Sequence, residues 1–391
     1  MKHLCILGST GSIGTSTLSI VERYPERFAV TSLVAGRNLD LAFDQCRQWR
    51  PLLVSVATEQ LASELSSRLK AAGLTETEVV YGSAGTVSAA TLPGVDFVVS
   101  AIVGLAGLEA TYAAVAAGKQ VGLANKEAMV AAGEILTRLA RDRKVPLLPI
   151  DSEHNAIHQC MRGGSRAEVR RIWLTASGGP FRQLPADQFS HITVEQALRH
   201  PTWVMGRRVT IDSATLLNKG LEIIEACRLF DLQPSAVKVT VHPQSAVHSL
   251  VEFVDGSILA QLSVTDMRLP ILYAMSYPER VASDLTFDMA TLGQLSFEPP
   301  DFARFPCLRL AYQAAETGGA ACIALNAADE VAVQAFLEGT IPFTSIPRTI
   351  EAVLESTPSR HPETIQEVLL LDEEARRMAH RVVSGLSPAL R

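Results

Sequence analysis

Carboxylate side chains that could bind a divalent cation lie near the middle of the chain. Asp151 and Glu153 directly follow the apolar run VPLLPI. If the chain is still extended there, both carboxylates point to one side. Hard divalent cations prefer oxygen ligands of this kind. The same Asp-Ser-Glu segment is also typical of a helix N-terminus with Asp or Ser as its cap, and these residues alone favour neither interpretation.

A second group of polar residues lies in the segment 211–226, IDSATLLNKGLEIIEA. On a helix, Lys219 and Glu222 share a face, and by themselves they could form an ordinary surface ion pair. Ser213 and Asn218 add hydroxyl and amide donors to the ammonium, a combination that suits a phosphate monoester. Glu222 could then supply a third carboxylate to the metal.

Two further segments could bind an anion or cover a site. In LTASGGPFR, Ser177 and the glycines after it can present a hydroxyl and backbone N–H groups, although a plain turn is about as consistent with them. The loop HPTWVMG contains Trp203, and a lone tryptophan is more often a core residue than a lid. His242 and His248 flank Pro-Gln-Ser and are better interpreted as satisfied strand-end residues than as catalytic groups.

The N-terminal stretch LCILGSTGSIGTSTL predicts a phosphate-binding turn. Gly8, Gly11 and Gly14 lie between a short apolar run and a helical pattern, where the backbone can approach a pyrophosphate at a helix N-terminus. The spacing fits the dinucleotide fingerprint only loosely, and a turn without a ligand is the alternative. Arg37 follows the predicted second strand, where an NAD site usually carries an acidic residue. An arginine there suits a 2′-phosphate, so the sequence favours NADP.

The elements that must position these residues differ between the two halves of the chain. Through residue 150, apolar runs alternate with helical patterns, which predicts β-α-β units and a mostly parallel sheet. Ligands of such sheets bind beyond the carboxyl ends of the strands, so 102–104, 125–127 and 151–153 are candidate walls of one crevice. The predicted strands are 4–7, 30–35, 52–56, 79–81, 96–100, 121–124 and 145–148.

The second half predicts a mixed α+β domain followed by helices. Strands are expected at 172–175, 209–212 and 237–241, with a hairpin over 249–264 around its Asp-Gly turn. Helical patterns occupy 307–317, 321–337, 346–355 and 364–383. We therefore expect an α/β Rossmann-like N-terminal domain (1–150), an α+β catalytic and metal-binding domain (151–280), a connection (281–306) and a C-terminal α-helical bundle (307–391) that serves packing.

Composition excludes several classes of partner. The formal net charge is −6 and no basic run is present, which argues against nucleic acid. The first apolar run is too short for a signal peptide, and we expect no membrane-spanning segment. The six cysteines are far apart without a C-x-x-C pair, as in reduced cytoplasmic proteins. We expect a soluble cytoplasmic protein.

Taken in order, these segments closely resemble the 1-deoxy-D-xylulose 5-phosphate reductoisomerases. Each motif alone is weak, but the ordered set covers nearly the whole chain and is highly specific. The matching segments are GSTGSIG (8–14), AGRN (35–38), AIVG (101–104), NKE (125–127), DSEH (151–154), SGGP (177–180), HPTWVMG (200–206), DSATLLNKGLE (212–222), HPQS (242–245) and NAADE (326–330).

The resemblance implies an NADPH- and metal-dependent oxidoreductase. Such an enzyme rearranges and reduces 1-deoxy-D-xylulose 5-phosphate to 2-C-methyl-D-erythritol 4-phosphate, in the methylerythritol phosphate pathway to isoprenoid precursors. The resemblance also implies a homodimer, formed through the sheet of the middle domain. Mg²⁺ or Mn²⁺ would be held by Asp151, Glu153 and Glu222.

The resemblance also implies catalytic, substrate-binding and NADPH-binding roles for other residues. Lys126 joins the three metal ligands as a catalytic residue. The loop 200–206 is implied to be mobile and to cover the substrate with its tryptophan. The implied substrate contacts are Ser152, Ser177, His200, Trp203, Ser213, Asn218, Lys219 and His248. The implied NADPH contacts are Thr10, Gly11, Ser12, Ile13, Gly36, Arg37, Asn38, Asn125, Glu127 and Gly206.

Two residues depart from the family pattern. Val204 stands where a small polar residue is expected, and Asp329 stands where asparagine is commoner. Neither is a proposed ligand, so the departures concern loop dynamics and local packing.

Two other functions fit parts of the sequence. An NADP-dependent dehydrogenase of a semialdehyde or hydroxy acid would account for the N-terminal half, but it would leave the carboxylates and phosphate donors without a role. A catalytically silent NADPH sensor would need neither the three carboxylates nor Lys219. For the reductoisomerase itself, a retro-aldol/aldol sequence and an α-ketol shift would use the same ligands.

Overall fold

The computed structural model describes residues 1–203 and 205–386, so Val204 and the last five residues lie outside the described part of the chain. The chain forms two compact units. The first contains residues 1–128, 134–155 and 266–284, and the second contains 129–133, 156–265 and the residues from 285 onward. The functional boundaries expected at 150, 280 and 306 stay a prediction.

The first unit is built on a seven-stranded parallel sheet. Its strands are β1 (Lys2–Leu7), β2 (Phe28–Val34), β3 (Leu53–Val56), β4 (Glu78–Tyr81), β5 (Phe97–Ser100), β6 (Gln120–Leu123) and β7 (Leu147–Pro149). They pair in the order β4-β3-β2-β1-β5-β6-β7. The residues of β1 from Leu4 to Leu7 are fully buried, because both faces of such a sheet are covered. The predicted parallel α/β fold of the N-terminal part is confirmed.

Helices connect these strands. They are α1 (Ser12–Arg23), α2 (Leu39–Trp49), α3 (Glu59–Ala71), α4 (Gly82–Thr91), α5 (Leu108–Ala116), α6 (Lys126–Arg143) and α7 (Ser152–Met161). Each crossover returns the chain to the start of the next parallel strand, so the strand ends of β1, β2, β5, β6 and β7 share one edge of the sheet. The glycine turn, Arg37 and Asp151 all lie just beyond strands that end at this edge.

The second unit contains a four-stranded mixed sheet. Its strands are β8 (Val169–Ala176), β9 (Val237–Val241), β10 (Val247–Phe253) and β11 (Ile258–Leu262), in the order β11-β10-β8-β9. The hairpin predicted around Asp255 is confirmed, since β10 and β11 pair antiparallel and Gly256 has a φ of +89°. Only β8 and β9 pair in parallel among these strands.

The remaining helices follow in chain order. They are α8 (Val194–Ala197), α9 (Arg207–Ala214), α10 (Leu217–Leu229), α11 (Arg268–Ser276), α12 (Met289–Leu292), α13 (Pro306–Thr317), α14 (Ala320–Leu337), α15 (Ser345–Ser356) and α16 (Ile365–Leu386). Helix α11 belongs to the first unit, where Ile271 and Met275 are fully buried. Helices α13 to α16 confirm the predicted C-terminal helices, and their apolar faces join the core of the second unit.

The strand predicted at 209–212 is wrong. These residues lie in α9, which has Gly206 at its N-cap position. At the start of this helix the Thr210 hydroxyl donates a hydrogen bond to the Gly206 carbonyl at 2.9 Å. A short apolar run does not distinguish a buried strand from a buried helical turn, because periodicity needs a longer window.

Helix α14 is the one helix among the described residues that could cross a membrane by length and composition alone. The sequence pattern did not predict such a segment, since Asp329 and Glu330 interrupt its apolar run. In the structure, 78% of the helix is buried inside the protein. Its apolar side chains belong to the core of the second unit, which accounts for its composition.

Candidate functional site

The glycine turn after β1 is too tight for side chains at two positions. Gly8 has a φ of +87°, and a Cβ there would lie 2.6 Å from the Ala101 carbonyl oxygen. A Cβ on Gly14 would lie 2.3 Å from the Gly8 carbonyl oxygen. Helix α1 therefore begins directly against the turn, and the N–H groups of Ser12 and Ile13 have no carbonyl partner within the helix. This is the arrangement that a pyrophosphate requires.

Arg37 lies in the short segment between β2 and α2. It is exposed, as are Gly36 and Asn38 on either side. The Asn38 side chain accepts a hydrogen bond from the Leu41 N–H at 3.1 Å and so caps α2. The cap fixes the start of the helix and leaves the guanidinium in solvent, where it can pair with a phosphate.

Asn125 has a structural role in the turn between β6 and α6. Its side-chain oxygen accepts from the Ala128 N–H at 2.7 Å and caps α6, and its amide nitrogen donates to the carbonyls of Ile102 and Gly104. Asn125 and Glu127 are both buried. Contacts of these two residues with NADPH stay a prediction.

Lys126 and Asp151 form a close ion pair in the first unit. The Lys126 Nζ atom lies 2.6 Å from Asp151 Oδ2, and the lysine side chain is mostly buried. Such a contact is an ion pair in a poorly solvated setting, where the attraction between two charges is stronger than in water. Lys126 is the first residue of α6, so the fixed start of that helix positions the ammonium.

The metal interpretation assumed that residues 151–153 are extended, so that both carboxylates point to one side. In the structure these residues do not lie on an extended strand. Helix α7 begins at Ser152, and the Asp151 carbonyl accepts from the Asn155 N–H at 2.8 Å. The helix-terminus interpretation is therefore confirmed. It leaves the chemistry open, because Asp151 still pairs with a lysine and the Ser152 hydroxyl donates to Glu153 at 2.6 Å.

In the second unit, Lys219 and Glu222 form a buried pair and not a surface one. Glu222 is fully buried and Lys219 is 3% exposed. Lys219 Nζ lies 2.5 Å from Glu222 Oε2, and Asn218 donates to Oε1 at 2.7 Å. Burying two charges is expensive, so a sequence seldom retains such a pair without a functional reason.

The Ser-Gly-Gly turn packs against the end of α9. Gly179 has a φ of +66°, and a Cβ there would lie 2.6 Å from the Ser213 carbonyl oxygen. The Gly179 N–H, which the sequence suggested as a free donor, instead donates to the Ser177 hydroxyl at 3.2 Å. The structure thus brings the turn of Ser177 beside the helix end that carries Ser213.

His200 joins this turn to the tryptophan loop. Its Nδ1 atom accepts from the N–H groups of Thr202 at 3.2 Å and Trp203 at 2.9 Å. The proton of the neutral ring must then be on Nε2, which donates to the Ser177 hydroxyl at 2.9 Å. Burial lowers the pKa of His200, which favours this neutral form.

Trp203 lies near His248. The two rings meet edge to face with centroids 6.2 Å apart. His248 Nε2 lies 3.3 Å from the Ser263 carbonyl oxygen, which holds the imidazole at the end of the hairpin. Trp203 is only partly buried, as expected for a cover and not for a core residue. The departure at Val204 lies outside the described residues.

If Trp203 covers the substrate, as the resemblance implies, Trp203→Ala should raise the KM for the sugar phosphate and lower kcat, because the loop loses the ring that contacts His248. We expect changes of about tenfold in each, measured by steady-state NADPH oxidation. Trp49→Ala, a partly buried tryptophan of α2, is the control for general loss of packing. Unchanged constants for Trp203→Ala would contradict a covering role.

His242 is a satisfied structural residue, as its place at the end of a strand indicated. Its Nδ1–H donates to the Ser296 carbonyl at 2.9 Å, and Nε2 accepts from the N–H groups of Ala246 and Val247. The ring also stacks on Phe297. All the hydrogen-bonding capacity of the imidazole is used, so it holds the turn before β10.

The departure at Asp329 is explained by a residue that no sequence pattern singles out. Asp329 is fully buried, and Arg208 Nη2 lies 3.1 Å from its Oδ2 atom. Arg208 also contacts Glu330 at 2.6 Å and Asn326 at 2.9 Å, so it joins α9 to α14. Burial raises the pKa of Asp329 to about 6 although the guanidinium opposes this shift. The only signal in the sequence was an acidic residue inside an otherwise apolar helical segment, since such a residue needs a cation when it is buried.

Models of protein families match three parts of the chain. Residues 4–133 match "1-deoxy-D-xylulose 5-phosphate reductoisomerase", residues 147–230 match the C-terminal domain of that enzyme, and residues 262–378 match "DXP reductoisomerase C-terminal domain". The 1-deoxy-D-xylulose 5-phosphate reductoisomerase of Solibacter usitatus is 50% identical over 388 residues, 98% of each chain. That of Methylococcus capsulatus is 50% identical over 392 residues, 99% of this chain and all of the relative. This chain belongs to the 1-deoxy-D-xylulose 5-phosphate reductoisomerase family.

Solved structures of reductoisomerases share the fold. A crystal structure of DOX-P reductoisomerase in complex with NADPH, fosmidomycin and magnesium superposes with a TM-score of 0.94 at 41% identity, covering 98% of each chain. The reductoisomerase from Zymomonas mobilis in complex with NADPH gives a TM-score of 0.91 at 40% identity, with the same coverage. The family resemblance expected from the ordered motifs is therefore confirmed.

Proposed function

We propose that this protein is an NADPH- and divalent-metal-dependent reductoisomerase that converts 1-deoxy-D-xylulose 5-phosphate into 2-C-methyl-D-erythritol 4-phosphate, a step of isoprenoid precursor biosynthesis. Full-length membership of the family carries this conclusion. The buried Lys219–Glu222 pair and the Lys126–Asp151 pair support it, since a simple dehydrogenase or an NADPH sensor would have no use for either.

The residues of the glycine turn fit NADPH. The close approach of Gly8 and Gly14 to backbone atoms leaves room for a pyrophosphate but not for side chains. Thr10, Gly11, Ser12 and Ile13 would bind the phosphates at the start of α1, and Arg37 would pair with the 2′-phosphate. The cofactor supplies hydride to the aldehyde formed by the rearrangement.

Arg37→Asp should weaken NADPH binding about 10²-fold and leave NADH binding within twofold, because only NADPH carries the 2′-phosphate. Dissociation constants can be measured by fluorescence titration of the two nucleotides. Arg50→Asp, an exposed arginine at the other end of α2, is the control. Equal weakening of NADPH and NADH would contradict the assignment of the 2′-phosphate to Arg37.

The acidic residues fit a divalent cation by their chemistry. We propose that Asp151, Glu153 and Glu222 hold Mg²⁺ or Mn²⁺, since three carboxylates form a hard oxygen donor set. Glu222 is fully buried beside the ammonium of Lys219. When bound, the metal polarises the substrate ketone and neighbouring hydroxyl as a Lewis acid.

The other residues of the proposed site bind and orient the substrate. Ser177, Ser213, Asn218 and Lys219 would bind the phosphate, with Ser152, His200 and His248 as further contacts. Binding energy from the phosphate, far from the reacting carbons, can close the loop and orient the fragments of either rearrangement route. Trp203 would exclude water, which protects the aldehyde until hydride transfer.

Assembly and location are also proposals. β11 is an edge strand whose Ile258 and Leu259 side chains are exposed, and unpaired apolar edges favour pairing with another chain. We propose a homodimer formed through this sheet. All six cysteines are buried and form no disulfide, which fits reduced thiols and a cytoplasmic location.

The first experiment combines the purified protein with 1-deoxy-D-xylulose 5-phosphate, NADPH and Mg²⁺ or Mn²⁺. We expect loss of the reduced-nicotinamide absorbance that stops on addition of a chelator and yields 2-C-methyl-D-erythritol 4-phosphate. Reduction without a rearranged product would favour a dehydrogenase. Tight NADPH binding without any turnover would favour a sensor.

A further inference from the structure

The carbonyl of Ser9 is fixed at the centre of the glycine turn. The N–H groups of Gly8 and Ser9 both donate to the Val34 carbonyl at the end of β2, at 2.9 Å and 2.8 Å. The Ser9 carbonyl points the other way into the protein, where a Cβ on Gly14 would lie only 2.5 Å from its oxygen. Ser9 is fully buried, so water does not satisfy this carbonyl.

Gln45 supplies the hydrogen bond that the Ser9 carbonyl needs. Its Nε2 atom donates to the oxygen at 2.8 Å. Gln45 lies on α2 among buried residues and is 4% exposed, although glutamine is mostly a surface residue. A long polar side chain buried beside a cofactor turn is costly unless its hydrogen bond has a purpose.

Holding the Ser9 carbonyl also fixes the next N–H group. In a trans peptide the C=O and N–H bonds point in opposite directions. Because Gln45 draws the Ser9 oxygen toward α2, the Thr10 N–H points away from α2. Thr10 is one of the residues that the proposed function assigns to the pyrophosphate.

We propose that Gln45 is a positioning residue for the NADPH pyrophosphate: its amide locks the Ser9–Thr10 peptide so that the Thr10 N–H and the start of α1 face the cofactor. The inference rests on the proposed function only in taking NADPH as the ligand. Without the amide, the buried carbonyl loses its partner, and rotation of the peptide toward another donor turns the Thr10 N–H away.

The test compares Gln45→Met with Gln48→Met. Methionine has nearly the length of glutamine but donates no hydrogen bond. Gln48 lies on the exposed side of the same helix, where its side chain donates to Glu22 at 3.3 Å. We expect Gln45→Met to raise the Kd for NADPH about tenfold in fluorescence titration, with kcat at saturating NADPH and the KM for the sugar phosphate within twofold of wild type.

A ligand without a pyrophosphate separates positioning from general damage. Adenosine 2′-monophosphate carries the 2′-phosphate alone, so its inhibition constant should be the same in wild type and Gln45→Met. Equal weakening of both ligands, or an unchanged Kd for NADPH, would overturn the inference. Gln45→Leu is the second variant should the methionine protein not fold, and its apolar side chain, which donates no hydrogen bond, should weaken NADPH binding at least as much. Wild-type protein that fails to bind NADPH would refute the proposed function itself.

Discussion

Glu222→Gln should lower kcat by about 10²–10⁴-fold while the Kd for NADPH stays within twofold. Glu222 is a fully buried carboxylate whose two oxygens contact Asn218 and Lys219. A glutamine has nearly the same shape but no negative charge, so the proposed cation loses one anionic ligand and Lys219 loses its counter-charge. A Lewis acid contributes several kcal/mol to such a reaction, which gives the expected range. All the proposed NADPH contacts except Gly206 lie in the first unit, so the Kd for NADPH should be unaffected.

The effect of Mg²⁺ on thermal unfolding shows whether the carboxylate removed in Glu222→Gln is a metal ligand. Mg²⁺ should raise the thermal unfolding midpoint of the wild-type protein and raise that of Glu222→Gln much less, because binding stabilises the folded state by mass action. Glu195→Gln, an exposed carboxylate paired with Arg199, serves as the matched control. If Glu222→Gln kept more than a tenth of the wild-type kcat and the full Mg²⁺ effect, Glu222 would not be a ligand.

Local sequence patterns predicted the first half of the fold well. The run from Leu4 to Leu7 and the glycines after it specify a strand, a turn and a helix through local sterics, and the structure has them in these places. The Asp-Gly hairpin of the second unit was equally predictable, because its turn requires a positive φ that Gly256 supplies within the turn itself. In both cases the determining forces act between neighbours in sequence.

Burial and long-range contacts could not be predicted in this way. From the sequence, Lys219 and Glu222 could form either a surface ion pair or part of a binding site. Both are buried, and this burial results from tertiary packing, which the local sequence does not show. The partners of Arg208 on α14 are more than 100 positions away, with a separation of 121 to Asp329. Gln45 likewise meets Ser9 only because the fold brings α2 beside the turn that follows β1. The ordered family motifs led to the proposed site residues, but they did not point to Arg208 or Gln45.

Lys126→Met should lower kcat by about 10²–10³-fold, the usual cost of removing one preorganised charged donor from an active site. The ammonium lies 2.6 Å from Asp151 Oδ2 and is mostly buried, so methionine fills its space but removes the positive charge beside the carboxylate. Unlike Glu222, Lys126 is not a proposed metal ligand. Steady-state NADPH oxidation at saturating Mg²⁺ measures the loss, and Lys70→Met on the surface of α3 is the control.

The Mg²⁺ concentration needed for half-maximal activity should change differently in Glu222→Gln and Lys126→Met. This difference separates the roles of the two residues. Removing the carboxylate of Glu222 takes negative charge from the proposed site and weakens Mg²⁺ binding. Removing the ammonium of Lys126 takes away a positive charge beside Asp151, and the attraction between Asp151 and a cation then increases. The Mg²⁺ concentration for half-maximal activity should therefore rise in Glu222→Gln and stay equal or fall in Lys126→Met. A rise in both would mean that Lys126 acts only by holding Asp151 in place for the metal.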